Sequence, residues 1–264
     1  MPLSAPPPVG WTPGSRAQGL SLTPSEPICY GASVKCLPAV VWLFLTAAPA
    51  LAQEPLPQGL SGPQKLAALV QRVSQVQSGM VTLEARFVQE KKSRLLVAPS
   101  VSRGRLYFKA PDLLRWEYET PHLMTVLLAG GTVTTYRPAE KRADRVEVGR
   151  QQRRVFRLIG ASEPLDKLKQ YFSFTFLDPG AKGNYRLILQ PTSRLVAKKI
   201  KLVELEIDRD RMMPIVVSYT EADGDVTTYS FTDIVTNKEI DPAMFTLELG
   251  PDVTISKLKL GSGE

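Results

Sequence analysis

Apolar and polar residues alternate along most of the chain from Val81 onward, and a period of two predicts β-strands with one apolar and one polar face. The alternation is clearest at residues 172–176, where three phenylalanines are separated by a serine and a threonine. Such segments recur about eleven times, and strands do not alternate with helices as they do in parallel sheets. The pattern predicts a mainly β domain with an antiparallel sheet.

Two turn signals support this sheet. Gly130-Gly131 and Asp223-Gly224 each separate two alternating segments, as in β-hairpins. A sheet of this length cannot stay flat, and its apolar face has to be covered by curling and by helices. We therefore expect an open or closed barrel with a large apolar interior.

The alternation also predicts which side chains point into that interior. Each of them is a candidate for contact with an apolar ligand, and ordinary core packing explains each equally well. These residues are Phe87, Leu106, Phe108, Trp116, Tyr118, Phe172, Phe174, Phe176, Leu187, Leu205, Val217, Tyr229 and Phe231.

A helical period precedes the strands. Ser61 and Gln64 have the spacing of a capping box, apolar residues follow at helical spacing, and Gly79 provides a stop. We expect an amphipathic helix of about four turns here.

A second departure from the strand pattern lies between Arg150 and Gln170. An apolar run ends at Gly160, and Ser162-Glu163-Pro164 opens another short helix. These helices either cover one end of the core or form a functional lid. The candidate lid residues are Phe156, Leu158, Ile159, Leu165 and Leu168.

The N-terminal region has the features of a secretory signal peptide. Lys35 precedes a short apolar run that ends in Ala50-Leu51-Ala52, and the run is shorter than the roughly 20 residues of a membrane span. We expect residues 34–52 to be the signal peptide and residues 53–264 the mature, periplasmic domain. Residues 1–33 fit no targeting segment, so we expect translation to begin near Val34 and this extension to be untranslated or disordered.

Composition narrows the chemistry of the expected mature domain. Cys29 and Cys36 both precede residue 53, so the expected mature domain has no cysteine. This excludes disulfides, thiolate metal sites and cysteine nucleophiles from the domain. Neither cysteine follows the apolar run, where a lipidated cysteine would lie. The net charge of +7 becomes about +6 without Arg16, Lys35 and Glu26, a surplus suited to an acidic surface or anionic lipid head groups. The basic residues are scattered without aromatic stacking motifs, so we do not expect nucleic-acid binding.

No catalytic constellation is evident. His122 is the only histidine, and we interpret it as a turn residue because no nucleophile motif accompanies it. Glu117 and Glu119, like Glu204 and Glu206, are spaced by two and should lie on solvated strand faces. We therefore predict that the protein is not an enzyme and has neither a cofactor nor a metal site.

Several segments together resemble the LolA family of periplasmic carriers of outer-membrane lipoproteins. The strongest likeness lies between Arg103 and Pro121, with a strand that begins at a glycine, then Arg-Trp-x-Tyr and a proline. The others are Ala85-Arg86-Phe87-Val88-Gln89, Tyr136-Arg137-Pro138 and Ile240-Asp241-Pro242-Ala243-Met244-Phe245 with Val253.

This resemblance implies an incomplete antiparallel barrel of eleven strands with a helical lid, whose cavity holds lipoprotein acyl chains. It further implies delivery of cargo by an inner-membrane LolCDE-type transporter, release to an outer-membrane LolB-type receptor, and no catalysis on the carrier. We expect a monomer. Enteric members carry a latch arginine before the motif's proline, where this chain has Ala110. The latch must therefore be absent or differently built, and the lid mechanism of the family does not carry over.

Three other functions remain open at this point. The same interior could serve a carrier or sensor of free lipid or another amphiphile. A lipid hydrolase is disfavoured by the missing nucleophile and base. An interaction or regulatory sensor module of the cell envelope would need no ligand at all.

Overall fold

The computed structural model describes residues 56–57, 59–177, 180 and 183–258. The predicted extension, signal peptide and translation start lie outside these residues. The strands within the described part of the chain are β1 (Thr82–Lys92), β2 (Ser100–Lys109), β3 (Leu113–Thr120), β4 (Met124–Ala129), β5 (Thr132–Arg137), β6 (Arg142–Glu147), β7 (Phe172–Leu177), β8 (Tyr185–Pro191), β9 (Ile200–Asp208), β10 (Met213–Glu221), β11 (Val226–Thr236) and β12 (Thr254–Leu258).

The helices frame and interrupt this series of strands. The α-helices are α1 (Gly62–Ser78), α2 (Arg150–Ile159) and α3 (Arg194–Ala197), and short 3-10 helices span Pro138–Glu140, Leu165–Leu168 and Pro242–Phe245. None of the helices in the described residues is both long and apolar enough to cross a bilayer.

All of these strands belong to one sheet, in the order β12-β6-β5-β4-β3-β2-β1-β11-β10-β9-β8-β7. Every neighbouring pair is antiparallel except β12 and β6, which run parallel. β12 and β7 are the edges of the sheet as described, so the sheet remains open there. The predicted mainly β, incomplete antiparallel barrel is confirmed.

β12 is a twelfth strand that the alternation does not predict. It has only five residues, and Ile255, the second of them, is exposed. So short an edge strand has little periodic signal, and its pairing depends on where the chain returns to the sheet.

Both predicted hairpins are present. Gly130 (φ 56°) and Gly131 (φ 76°) form the two-residue turn between β4 and β5, where Ala129 pairs with Thr132. Two left-handed residues in succession match the twist of the flanking strands and strongly favour glycine. The turn between β10 and β11 is longer, and Gly224 (φ 99°) allows it to close.

α1 covers part of the inner face of the sheet. Gln64 Oε1 accepts hydrogen bonds from the Ser61 amide and hydroxyl at 3.0 Å each, which fixes the start of the helix. Leu69, Val70 and Val73 form its buried stripe. The helix contacts β7, β10 and the 3-10 helix Leu165–Leu168, so it packs against both the sheet and residues 150–170 after β6, here called the insert.

The inner face carries the main core, and part of the outer face is covered as well. Tyr107 and Leu127 pack there with Ile240 and Phe245 from the segment after β11. The sequence places Tyr107 on the polar face of β2, but it is 7% exposed because that segment folds back over it.

Candidate ligand-binding interior and its lid

The centre of the inner face is a cluster of aromatic side chains, here called the aromatic cluster. Its members are Phe87, Trp116, Tyr118, Tyr219, Tyr229 and Phe231.

The aromatic cluster joins side chains from β3, β1, β11 and β10 in the middle of the sheet. The ring centroids of Phe87 on β1 and Trp116 on β3 are 4.9 Å apart at 74°. Trp116 and Tyr229 on β11 are also 4.9 Å apart. Edge-to-face and tilted contacts at these distances stabilise aromatic pairs beyond the burial of their area. The aromatic cluster forms a broad apolar wall in the middle of the interior.

All thirteen predicted interior residues lie in the main core or pack directly against it. Ten are buried, and Tyr118, Phe174 and Phe176 are partly buried. Their inward orientation agrees with the alternation. Contact of any of them with an acyl chain stays a prediction.

The prediction of the interior omitted several residues that line it. Tyr219 completes the aromatic cluster two residues after Val217, and the period of two would have placed both on one face. Leu83 on β1, Leu114 on β3 and Leu128 on β4 are at most 2% exposed and belong to the same core. The period of two along each strand could have identified each of these residues as inward-facing.

Three hydroxyl groups interrupt the apolar wall. Burial raises the pKa of Tyr118 and of Tyr219 above its usual value. Burial raises the pKa of Tyr229 furthest, and the neighbouring Tyr118 and Tyr219 raise it further. The three phenols therefore stay neutral at physiological pH, and the wall carries hydrogen-bonding groups without charge.

α1 is joined to the insert by polar side chains. Gln77 is 4% exposed; its Nε2 donates to the Ala161 carbonyl at 3.1 Å, and its Oε1 accepts from the Leu165 amide at 3.2 Å. Ser74 Oγ accepts from the Asp166 amide at 2.9 Å. Because these bonds satisfy the backbone of the insert, α1 and the insert form one cover.

The insert presents its apolar residues to the core. Leu158, Leu165 and Leu168 are at most 3% exposed, and Phe156 and Ile159 pack against the core from α2. All five candidate lid residues therefore contact the interior. Their function as a movable lid stays a prediction.

An arginine on α2 ties the insert to the turn between β2 and β3. Arg157 Nη1 donates to the Pro111 carbonyl at 2.7 Å, and Arg157 Nε lies 2.7 Å from Glu163 Oε2. Ala110, at the position of the enteric latch arginine, is exposed. In this contact the cation lies on α2 and the acceptor lies in the turn between β2 and β3.

The Glu163 carboxylate is buried beneath this connection. Its side chain is 1% exposed and lies between Arg157 and Arg154, whose Nε is 3.6 Å from Oε1. Neither Glu163 oxygen has a hydrogen bond of good geometry, so these contacts are ion pairs only. Burial raises the pKa of Glu163 above its ordinary value of 4.5, although Arg157 and Arg154 oppose the shift.

Arg115, another basic residue near Ala110, points away from the interior. Arg115 donates to the carbonyls of Met244 and Thr246 at 2.8 and 3.1 Å, and it pairs with Glu117. It therefore fixes the segment after β11 to the outer face and does not hold the lid.

Three of the four residues of the acidic pairs form ion pairs on the outer face, and Glu206 accepts a hydrogen bond from Asn184. Glu117 is 2.7 Å from Arg115, Glu119 is 3.1 Å from Arg105, and Glu204 is 3.3 Å from Arg186. His122 is exposed in the turn between β3 and β4. Within the described ranges, no three acidic, histidine or cysteine side chains are grouped as metal ligands.

Comparison with protein families gives one match. The family described as outer membrane lipoprotein carrier protein LolA matches residues 78–248, which include β1 to β11 and leave out β12 and nearly all of α1. A search of the curated proteins finds no match.

Several solved structures are similar to this chain at low sequence identity. An uncharacterized conserved protein from Thermus thermophilus is 11% identical, with a TM-score of 0.46, and the match covers 74% of this chain and all of that chain. A LolA superfamily protein from Nitrosomonas europaea is 12% identical, with a TM-score of 0.38 and coverages of 69% and 97%. The MucA/MucB complex of Pseudomonas aeruginosa is 11% identical, with a TM-score of 0.42, and the match covers 73% of this chain and 63% of that chain.

Proposed function

Because this chain belongs to the LolA family, we propose that it is a periplasmic carrier that binds the acyl chains of lipoproteins released from the inner membrane and delivers them to the outer membrane. The observation that carries this proposal is the open sheet whose apolar inner face is covered by α1 and the insert. By the family's function, an acyl chain would occupy the wall that these helices cover.

The energetics of an acyl chain suit such an exchange. Removing a chain of about 15 methylenes from water at about 0.8 kcal/mol each is worth on the order of 12 kcal/mol. Displacing α1 and the insert exposes apolar area and offsets part of this gain. A carrier needs that offset, because an uncovered cavity of the same area would bind too tightly to release its cargo.

The proposal includes partners and location. Cargo would arrive from a LolCDE-type transporter and leave to a LolB-type receptor where one exists. The surplus of basic residues suits an acidic docking surface or membrane. We propose a monomeric, exported protein that performs no catalysis itself.

Transfer from vesicles tests the carrier function. The purified protein is incubated with vesicles that contain the transporter and a labelled lipoprotein, and soluble complex is then quantified. We expect ATP-dependent release of lipoprotein in a complex with the wild type. Complete absence of release contradicts the proposal.

Paired aromatic substitutions show whether the interior is used. Trp116→Leu removes an aromatic ring from the inner wall, and Tyr107→Leu removes an aromatic ring from the outer face of the neighbouring strand. We expect less complex with Trp116→Leu than with Tyr107→Leu at matched folded fractions. Equal yields from the two variants contradict binding at the aromatic cluster.

Native mass spectrometry of the protein as isolated separates the related alternatives. Bound lipoprotein supports the carrier proposed here. Bound free lipid favours a carrier or sensor of another amphiphile, and a protein without any bound molecule favours an interaction module.

A further inference from the structure

A surface cavity of about 200 Å³ lies between α2 and the turn from β2 to β3. We call it the arginine cavity; its lining residues are Pro111, Asp112, Arg150, Arg153, Arg154 and Arg157. The four arginines are spaced at i, i+3, i+4 and i+7, so they share one face of α2. The apolar residues of the same helix pack against the core.

The charges around the arginine cavity do not cancel. Arg154 and Arg157 share Glu163, and Arg153 Nη1 is 3.6 Å from Asp112 Oδ2, beyond hydrogen-bond distance. Arg150 is exposed, and its side chain makes no ion pair with any described residue. Four cations thus face two carboxylates, which leaves a local positive surplus next to Arg150.

The side chains and the size of the arginine cavity indicate the kind of anion. Guanidinium groups bind the oxygens of phosphate in a bidentate manner. The cavity is smaller than the roughly 300–1,000 Å³ of pockets that enclose drug-sized ligands, so it suits a compact group and not a whole lipid. We propose that the arginine cavity binds a phosphate group, either of a lipid head group or of a free phosphate.

This site goes beyond acyl-chain carriage, because it concerns a polar group outside the interior. Asp112 also lines the cavity, and its carboxylate would repel a bound phosphate. Changes at Arg150 and Asp112 should therefore affect binding in opposite directions, which a purely structural function of either residue would not produce.

Isothermal titration calorimetry of the full mature chain tests the site with two probes, inorganic phosphate and monomeric dihexanoyl phosphatidylglycerol. We expect Arg150→Gln to weaken binding about tenfold, as loss of one charge-assisted contact does. We expect Asp112→Asn to strengthen it. Arg194→Gln is the matched control, because Arg194 is also an exposed first residue of a helix without an ion pair among the described residues.

The two probes distinguish the source of the phosphate. Tighter binding of the lipid supports a head group, and equal binding supports a free phosphate; in both cases Arg150→Gln must weaken binding more than Arg194→Gln. Absence of binding of both probes, or equal effects of the two arginine variants, overturns the proposal. Neither result depends on lipoprotein release from vesicles, so the carrier function is judged separately.

Discussion

Gly104 shows how a single residue controls the approach of two strands. A Cβ atom added there would lie 1.8 Å from the Glu117 carbonyl oxygen and 3.0 Å from Phe87 Cε1. The register between β2 and β3 shifts at the same point, between Arg103 and Gly104. The absence of a side chain therefore allows β3 to pass close to β2 beside the aromatic cluster.

Substitution of Gly104 by alanine should destabilise the fold. The methyl group would have to displace backbone, which costs about 3 kcal/mol of unfolding free energy as overpacking in a dense core does. Urea denaturation measures the change, and Gly62→Ala is the control because nothing lies within 4 Å of a Cβ atom there. Equal stability of the two variants would contradict the close approach.

At the scale of elements, the insert is held by charges that are costly to bury. The folded-state pKa of Glu163 is raised, so the folded chain binds this proton more tightly than the unfolded chain does. The resulting contribution to stability is fully present below the ordinary value of 4.5 and is lost as the pH rises through the folded-state pKa.

Glu163→Gln should remove this pH dependence. The unfolding free energy of the wild type, relative to that of the variant, should fall as the pH rises from about 4.5. Urea denaturation of both proteins across this range measures the difference. Parallel pH profiles would show that Glu163 titrates alike in the folded and unfolded chains.

The link from α2 to the Pro111 carbonyl should control how often the insert opens. Arg157→Gln together with Glu163→Gln removes the charged donor without leaving a buried charge unpaired. Loss of a hydrogen bond from a charged donor is worth about 1.5–3 kcal/mol, so opening of α2 should become at least about tenfold more frequent.

Amide hydrogen exchange measures that opening directly. Exchange in residues 150–159 should accelerate in the double variant. The matched control is Arg186→Gln together with Glu204→Gln, an exposed pair on the outer face. Unchanged exchange in α2, or equal acceleration by the control, would show that the Arg157 link does not hold the insert.

At the scale of the whole molecule, the proposed carrier function makes cargo and the covering helices compete for one apolar wall. Loading with a diacylated lipopeptide should therefore speed amide exchange in α1 and α2, while β1, β2 and β11 stay as protected as before. Hydrogen exchange with mass spectrometry compares loaded and unloaded protein. Slower exchange in the helices on loading would contradict displacement of the cover.

The strand period made the inner face predictable, because every buried position along a strand repeats after two residues. Phe87, Trp116 and Tyr229 are inward as expected, and Tyr219 follows the same rule. Tyr107 also points to the outer face as the period predicts, but its burial was not predictable, because the return of Ile240 and Phe245 over that face is a long-range contact that no local pattern encodes.

The antiparallel sheet, its hairpins, the starts of α1 and the insert, and the resemblance to the LolA family were predictable from residue order alone, because all of these depend on local periodicity and short motifs. The parallel pairing of β12, the link from Arg157 to the Pro111 carbonyl and the arginine cavity were not predictable in this way and follow from the folded chain. Each of these joins residues far apart in the chain, and their meeting depends on how the sheet curls and where the insert packs against it.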